Sequence, residues 1–477
     1  MQTSSAKFRF CPSPTGLIHF GNVRTALFNA LLAHKLQGTF LLRIEDTDKE
    51  RSKSEYTEAL MADLHWLGLE WQEGPEVGGN NGPYWQSERQ AIYDNDYQRL
   101  GLHAYPCFCS EQDLEAMRKV QRSQGQPPRY AGTCRHLSTE EITVKIAAGE
   151  KPALRFRVPD GEAVEFIDLA KGPQRFLTDD IGDFIIRRAD GTAPFMYCNA
   201  IDDAMMGVTH VVRGEDHLTN TPRQILILQA LGLRVPQYCH ISLIMGADHT
   251  PLSKRNGSRN MQTLRAEGYL PLAIVNYLAR LGHYYSSEQF MSLAQLAAGF
   301  DFNHLSRSAA HFDEQQLLHW QKEAVMRLSP TAFKLWIGEH STQFNLIPPA
   351  KHELFLKIIQ PNIVFPKEFD DWATRLYAET LPLEPTLRDV LLQAHKGFFM
   401  TAIAAVKEKG VDYAYLQQCL QQECNAKGRS LFQPLRVALT ASLHGPQLED
   451  ILQLMGREQV LRRFAAAALL KAEDSSC

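Results

Sequence analysis

The stretch "FRFCPSPTGLIHFGNVRTALFNALLAHKLQGTFLLRIEDTD", Phe8 to Asp48, constrains the fold more than any other part of the chain. Lys7 to Cys11 alternates charged and aromatic residues as a strand does, and "PSPTG" then breaks the chain with two prolines and a glycine. From Asn22 the period changes. Val23, Ala26, Leu27, Ala30 and Leu31 share one helical face, and Gly38 marks its end. Thr39 to Ile44 is short, apolar and bounded, as a buried parallel strand is, and the polar cluster Glu45, Asp46, Thr47, Asp48 follows it. The unit is a βαβ crossover. Ligands of open α/β sheets bind at the carboxyl ends of the strands, where "PSPTGLIHFGN" and "EDTD" both fall. The turn brings His19, Gly21 and Asn22 to a helix N-terminus, whose unpaired N–H groups and dipole favour a phosphate. It is not a P-loop, because no Gly-Lys-Ser/Thr closes it, and the three-glycine spacing of a dinucleotide fold is missing.

A second block, "THVVRGEDHLTNTPRQILILQALGL", predicts a strand ending at Arg213, a polar turn, and a helix capped by Thr221 with Pro222 at its first position. "CHISLIMGADHTPLSKRNGS" adds an apolar strand and a loop with Ser253, Lys254 and Arg255, whose two cations suit a polyphosphate. Between these blocks, Cys107 and Cys109, then Cys134 and His136, form two pairs with one residue inside each. Three thiolates and an imidazole make a closed tetrahedral Zn²⁺ site, one ion per chain, with no position left open for chemistry. The run "EDTDKERSKSE" fails as a calcium loop: counted from Asp46, Arg51 stands where glycine is needed and Thr57 where glutamate is. After about Ser306 only helical patterns follow, among them "DEQQLLHWQKEAVMRL" and two more broken at His444 to Pro446.

In this context "HFGN" at His19 to Asn22 resembles the first signature of class I aminoacyl-tRNA synthetases, and "PSPTG" with "RIEDTD" resembles the glutamyl and glutaminyl branch. "PLSKRNGS" resembles the second signature, with Pro251 where a first lysine is usual. The helical carboxyl half is similar to the anticodon-binding region of bacterial glutamyl enzymes, whereas glutaminyl enzymes usually end in β-barrels. The resemblance implies a Rossmann-like catalytic domain split into 1–105 and 191–250, with an α+β acceptor-binding insertion holding zinc at 106–190. It further implies a signature loop and stem-contact region at 251–325 and an all-helical anticodon-binding region at 326–477. It implies activation of L-glutamate with ATP and Mg²⁺, then transfer to tRNA-Glu, with tRNA-Gln left open as a second acceptor. His19, Lys254 and Arg255 are the catalytic candidates; His19, Gly21, Asn22, Ser253 and Lys254 would hold ATP. Arg9 and Arg213 would face the side-chain carboxylate, with Ser13 near, Glu45 against the α-ammonium and Asn199 in the pocket. Phe195 stands where the family often has tyrosine, so a hydroxyl group is missing there.

Composition agrees with a multi-domain globular chain of 477 residues, 44% hydrophobic and 22% charged. No run of about 18 apolar residues suggests a membrane span. The amino terminus has no apolar signal core, and the odd count of nine cysteines is unlike a secreted disulfide scaffold, so a cytoplasmic protein with reduced thiols or a metal site is expected; a monomer is the expected assembly, with oligomeric state left open. A net charge of −4 lowers the prior for nucleic acid without excluding a local basic face. Two rivals share parts of this pattern. A small-molecule nucleotidyltransferase would not need the helical half, and a non-catalytic tRNA-binding protein would be expected to lose the charged signatures.

Overall fold

The computed structural model describes residues 5–48, 50–252 and 259–474. The crossover is present as β1 (Lys7–Phe10), α1 (Phe20–Lys35) and β2 (Thr39–Leu42), with the strands parallel from Lys7 opposite Thr39 to Phe10 opposite Leu42. Helix α1 starts before its apolar period does because His19 caps it: Nδ1 accepts the Gly21 N–H at 3.3 Å, and Asn22 Oδ1 accepts the His19 N–H at 3.3 Å. Gly38 is required between α1 and β2, since a Cβ there would stand 2.1 Å from the Ala6 carbonyl oxygen.

The chain continues through α2 (Ser54–Trp66), α3 (Gln90–Arg99), β3 (Ala104–Cys107), α4 (Glu111–Ser123), α5 (Thr139–Ala147) and β4 (Ala153–Phe156). It then passes through β5 (Ala163–Asp168), β6 (Gly172–Leu177), α6 (Thr178–Ile181) and β7 (Phe184–Arg187) to α7 (Phe195–Met205), β8 (His210–Gly214), α8 (Thr221–Ala230) and β9 (Gln237–Ile241). Strands β3, β4 and β7 make a small antiparallel sheet, and a second sheet runs in the order β6-β5-β9-β8. The hairpin of β5 and β6, expected inside the 106–190 insertion, thus reaches the main sheet through Asp168 opposite Tyr238 of β9. One correction concerns α8. Thr221 is its first helical residue and caps nothing, because its hydroxyl is used elsewhere.

Two compact units are present, one of residues 1–265 and 271–316, the other of 266–270 and 317–477. The second is helical throughout, with Phe333, Phe355, Phe369, Leu420, Ile451 and Phe464 in one core. Its last helical stretch, Leu448–Asp474, is interrupted at Gly456, where φ 76° and ψ 168° suit glycine; the two final helices expected from the sequence are in effect three. No helix among the described residues is long and apolar enough to cross a membrane.

Candidate active site

Strands β1 and β8 are neighbours, joined where the Thr209 N–H meets the Lys7 carbonyl at 3.0 Å. Farther along, the Val212 carbonyl accepts side chains instead, Asn29 Nδ2 at 3.0 Å and Arg9 Nη1 at 3.4 Å. From β1 the chain turns outward to β2, and from β8 it turns the other way to β9. That divergence is a topological switch point, and the carboxyl ends of β1 and β8 deliver Arg9 and Arg213 to it.

A buried charge network lies on one side. Arg9 Nε donates to both oxygens of Asp203 at 3.2 Å, and Arg43 Nη1 donates to Asp203 at 2.8 Å while its Nη2 reaches Glu45 at 3.0 Å. Arg89 Nε holds Asp202 at 2.6 Å, which also accepts from Gln86 and Tyr93 at 2.8 Å each. Arg9, Arg43, Asp202 and Asp203 are all within 2% of fully buried. A charge so placed persists only with partners, and these have them. Burial opposes its charge, yet the Arg9 and Arg43 guanidinium groups hold the Asp203 carboxyl below its ordinary range.

Glu45 closes the network with half of its carboxylate engaged. Its Oε1 accepts from Asn199 Nδ2 at 2.7 Å, Arg43 at 3.0 Å and Gln86 at 3.3 Å, whereas buried Oε2 has no hydrogen-bond partner. Burial raises its pKa against the pull of Arg43 and Asn199, so an added cation at Oε2 would be favoured. Asn199 is held in turn by Gln224, which donates to its Oδ1 at 2.9 Å.

Arg213 is incomplete as well, as are Arg43 at Nε and Gln224 at Oε1. It is 5% exposed and forms no ion pair among the described residues. Its Nε donates to His240 Nε2 at 3.2 Å and its Nη2 to the Thr221 hydroxyl at 2.8 Å, while the guanidinium carbon sits 5.4 Å from the Tyr238 ring centre. Nη1 is buried with no partner. Burial lowers the pKa of this cation, the mark of a charge that lacks its anion. A ligand with an ammonium at one end and a carboxylate at the other would satisfy Glu45 Oε2 and Arg213 Nη1 together.

His19 accepts the Gly21 N–H on Nδ1, so a neutral ring carries its proton on Nε2 as a donor. Asn22 caps from the same turn, and Ser13 is exposed on the loop before it. Phe195 packs its ring 5.3 Å from that of His217 at the start of α7. Cys11 and Cys198 pack, as expected; burial pushes the Cys11 thiol up to about 12. Ser253, Lys254 and Arg255 lie outside the described residues, which stop on that side just after Pro251, itself bridged to Met245. Sequence reading missed Arg43, Asp202, Asp203, Arg89, Asp168 and His240. An arginine inside an apolar parallel strand and an Asp-Asp pair inside the apolar face of α7 were the available signals.

The sulfurs of Cys107, Cys109 and Cys134 lie within 4.8 Å of one another. His136 is exposed and is not gathered with them, because the turn that buries Cys134 points the residue two places on toward solvent. The Tyr130 hydroxyl stands there instead, 3.5 Å from the Cys107 sulfur and 3.7 Å from that of Cys109. Arg155 Nε donates to Cys107 at 3.1 Å and the Phe108 N–H to Cys134 at 3.4 Å, the kind of support that thiolates receive around a metal. Despite burial, the Tyr130 and Arg155 hydrogen bonds pull the Cys107 thiol below its ordinary range. The donor set therefore fits a soft cation.

Residues 5–319 match the family described as "tRNA synthetases class I (E and Q), catalytic domain", and residues 350–468 match an anticodon binding domain. The glutamate–tRNA ligase 2 of Coxiella burnetii is 56% identical over 463 residues, 97% of this chain and 99% of that protein. The glutamate–tRNA ligase 2 of Nitrosococcus oceani is 54% identical, over 97% and 98% of the two chains. Among solved structures, a glutamate tRNA ligase from Elizabethkingia meningosepticum in complex with its amino acid superposes with a TM-score of 0.86 at 25% identity, covering 98% of this chain and 99% of that one. With the catalytic profile spanning well over half of the residues and the relatives nearly all of them, the chain belongs to the class I tRNA synthetases of the glutamate and glutamine branch.

Proposed function

We infer that this protein is a glutamate–tRNA ligase, and the observation that carries the reading is that an acidic acceptor, Glu45 Oε2, and a cationic donor, Arg213 Nη1, are among the buried atoms left without a partner around the switch point of the sheet. Glutamate fits both: its α-ammonium at Glu45 and its side-chain carboxylate at Arg213. Arg9 acts alongside Arg213 as part of the positive wall of the pocket, with Asp203 fixing its orientation. Two steps follow. A carboxylate oxygen of glutamate attacks the α-phosphorus of ATP, the bond to the β-phosphate oxygen breaks and pyrophosphate leaves. The terminal ribose 2′-hydroxyl of tRNA then attacks the acyl carbon, and AMP leaves.

Neither step needs an enzyme nucleophile, so the protein contributes position and charge. His19 would donate through Nε2 to a phosphate oxygen at the start of α1, where the Gly21 region supplies N–H groups. Asn22 keeps that turn in place, and Lys254 and Arg255 would neutralise the phosphates while Ser253 donates a hydrogen bond to them. Mg²⁺ accompanying ATP would offset charge on the leaving pyrophosphate. The three thiolates would hold Zn²⁺ as a structural ion, with Tyr130 hydrogen-bonded beside them and His136 not gathered with them. On the family likeness alone, the reading extends to a cytoplasmic monomer.

The test is ATP–pyrophosphate exchange and glutamylation with purified tRNA-Glu and tRNA-Gln. Exchange is expected to require cognate tRNA, and full exchange without RNA would favour a small-molecule nucleotidyltransferase. Charging of both tRNAs, or of one, decides the acceptor range. Affinity for tRNA is expected to fall as salt rises, through counterion release.

A further inference from the structure

Behind Arg213 stands a group that no part of the two-step reaction uses. His240 on β9 is fully buried, and its two ring nitrogens face different partners. Nδ1 lies 2.5 Å from Asp168 Oδ2, at the end of β5, and Nε2 faces Arg213 Nε at 3.2 Å and the Thr221 hydroxyl at 3.0 Å.

The protonation pattern follows from what Asp168 must do. Its Oδ1 accepts backbone N–H groups of Ala170 at 3.0 Å and Lys171 at 2.8 Å, and the His240 N–H reaches both oxygens, at 3.2 and 3.1 Å. An aspartate that accepts so many donors stays ionised. It can therefore only accept at Nδ1, which must carry a proton. In a neutral ring Nε2 is then a lone pair, the one state that can accept from Arg213 Nε and from Thr221. Burial disfavours the imidazolium, and Arg213 and Arg9 oppose it further, against the pull of Asp168. The neutral ring is the form that fits.

The consequence concerns direction. A guanidinium presents its donors in a fixed planar fork, so fixing two nitrogens fixes the third. His240 holds Nε, Thr221 holds Nη2, and Nη1 is left buried without a partner. Thr221 serves this end instead of capping α8. Resting on the assignment of Arg213 to the side-chain carboxylate of glutamate, we propose that the Asp168–His240 pair is a positioning device that aims Arg213 Nη1 at that carboxylate and so sets glutamate affinity.

The pair can be broken from its far end. In Asp168→Asn the amide oxygen still accepts the Ala170 and Lys171 N–H groups, but its NH₂ now faces His240 Nδ1. The ring must then carry its proton on Nε2, and two donors meet where Arg213 Nε once found an acceptor. Asp168→Asn is expected to raise the glutamate KM in tRNA glutamylation by about ten-fold or more, while the ATP KM stays within about two-fold. His240→Leu should do the same. His240→Gln, which can offer Oε1 to Arg213 Nε, should recover part of the loss.

Wild-type kinetics are measured first. A wild-type protein that glutamylates no tRNA overturns the functional reading itself. A wild type that does, with Asp168→Asn and His240→Leu keeping its glutamate KM within about two-fold, overturns only the positioning role. Equal losses for glutamate and ATP would also overturn it, as the mark of general disruption. Should the variants fail to fold, neutron diffraction from the wild-type protein locates the proton directly: on Nδ1 alone it supports the device, and on Nε2 it refutes it.

Discussion

Replacing Arg213 with methionine separates a functional charge from a structural one. The side chain is 5% exposed, forms no ion pair among the described residues, and has one nitrogen without a partner, so the fold loses little when the cation goes. Thr221 and His240, 3.0 Å apart, can still bond to each other. Removing an unpaired buried cation is neutral or stabilising, and the urea midpoint is expected to stay at or above that of wild type. Substrate binding is another matter. Truncating one partner of a water-excluded, charge-assisted hydrogen bond costs about 2–5 kcal/mol in comparable settings, so about 3 kcal/mol is expected here, or roughly 150-fold in kcat/KM for glutamate. Glutamine, which brings no charge to Nη1, should lose much less, and the preference for glutamate should shrink by at least about ten-fold. The assay is glutamylation of tRNA at varied glutamate, with glutamine as competitor and ATP saturating. Wild-type kcat/KM for glutamate in a folded Arg213→Met variant would refute the reasoning, as would a stability loss of several kcal/mol.

Arg43→Met is expected to behave in the opposite way, since it leaves Asp203 and Glu45 buried with fewer counter-charges; a destabilisation of about 3–5 kcal/mol should show in urea denaturation. Purified protein should carry close to one zinc per chain by elemental analysis; Cys134→Ser should lose it and His136→Ala should keep it, and a His136→Ala protein without zinc would restore the histidine as a ligand. Asp63, 2% exposed on α2 with Oδ2 unpartnered, has its carboxyl pushed by burial up to about 6. Because that value is raised above the unfolded one, Asp63 contributes most to stability below pH 3.8 and loses that contribution as pH rises through about 6. Asp63→Asn should therefore stabilise the protein by about 2–3 kcal/mol at pH 7.5 relative to its effect at pH 3.5, and a pH-independent difference would contradict this.

Local order determined the crossover, the polar strand ends and the helical carboxyl half, because each rests on chain neighbours: apolar periodicity for α1 and a glycine at Gly38 where the helix ends. The spacing of the three cysteines pointed to one cluster, and the fold brings Cys134 to the end of β3, where its sulfur joins those of Cys107 and Cys109. His136 shared that spacing and still points outward, because orientation within a turn depends on what packs beside it, and Tyr130 fills the corner from four residues before Cys134. Arg9, Glu45, Asn199 and Arg213, with the substrate group each would face, could be named through the family resemblance, but not what holds them. Their supports come from residues distant in the chain, Asp203 for Arg9, Gln224 for Asn199 and His240 for Arg213. Thr221 shows the limit most directly: beside Pro222 it has every mark of a helix cap, yet its hydroxyl goes to Arg213 and His240, since a buried cation competes for an oxygen more strongly than a helix end that can be satisfied in other ways. Sequence determines which groups a chain carries and what they can donate or accept; only the tertiary fold decides which of them are left without a partner, as Glu45 Oε2 and Arg213 Nη1 are here.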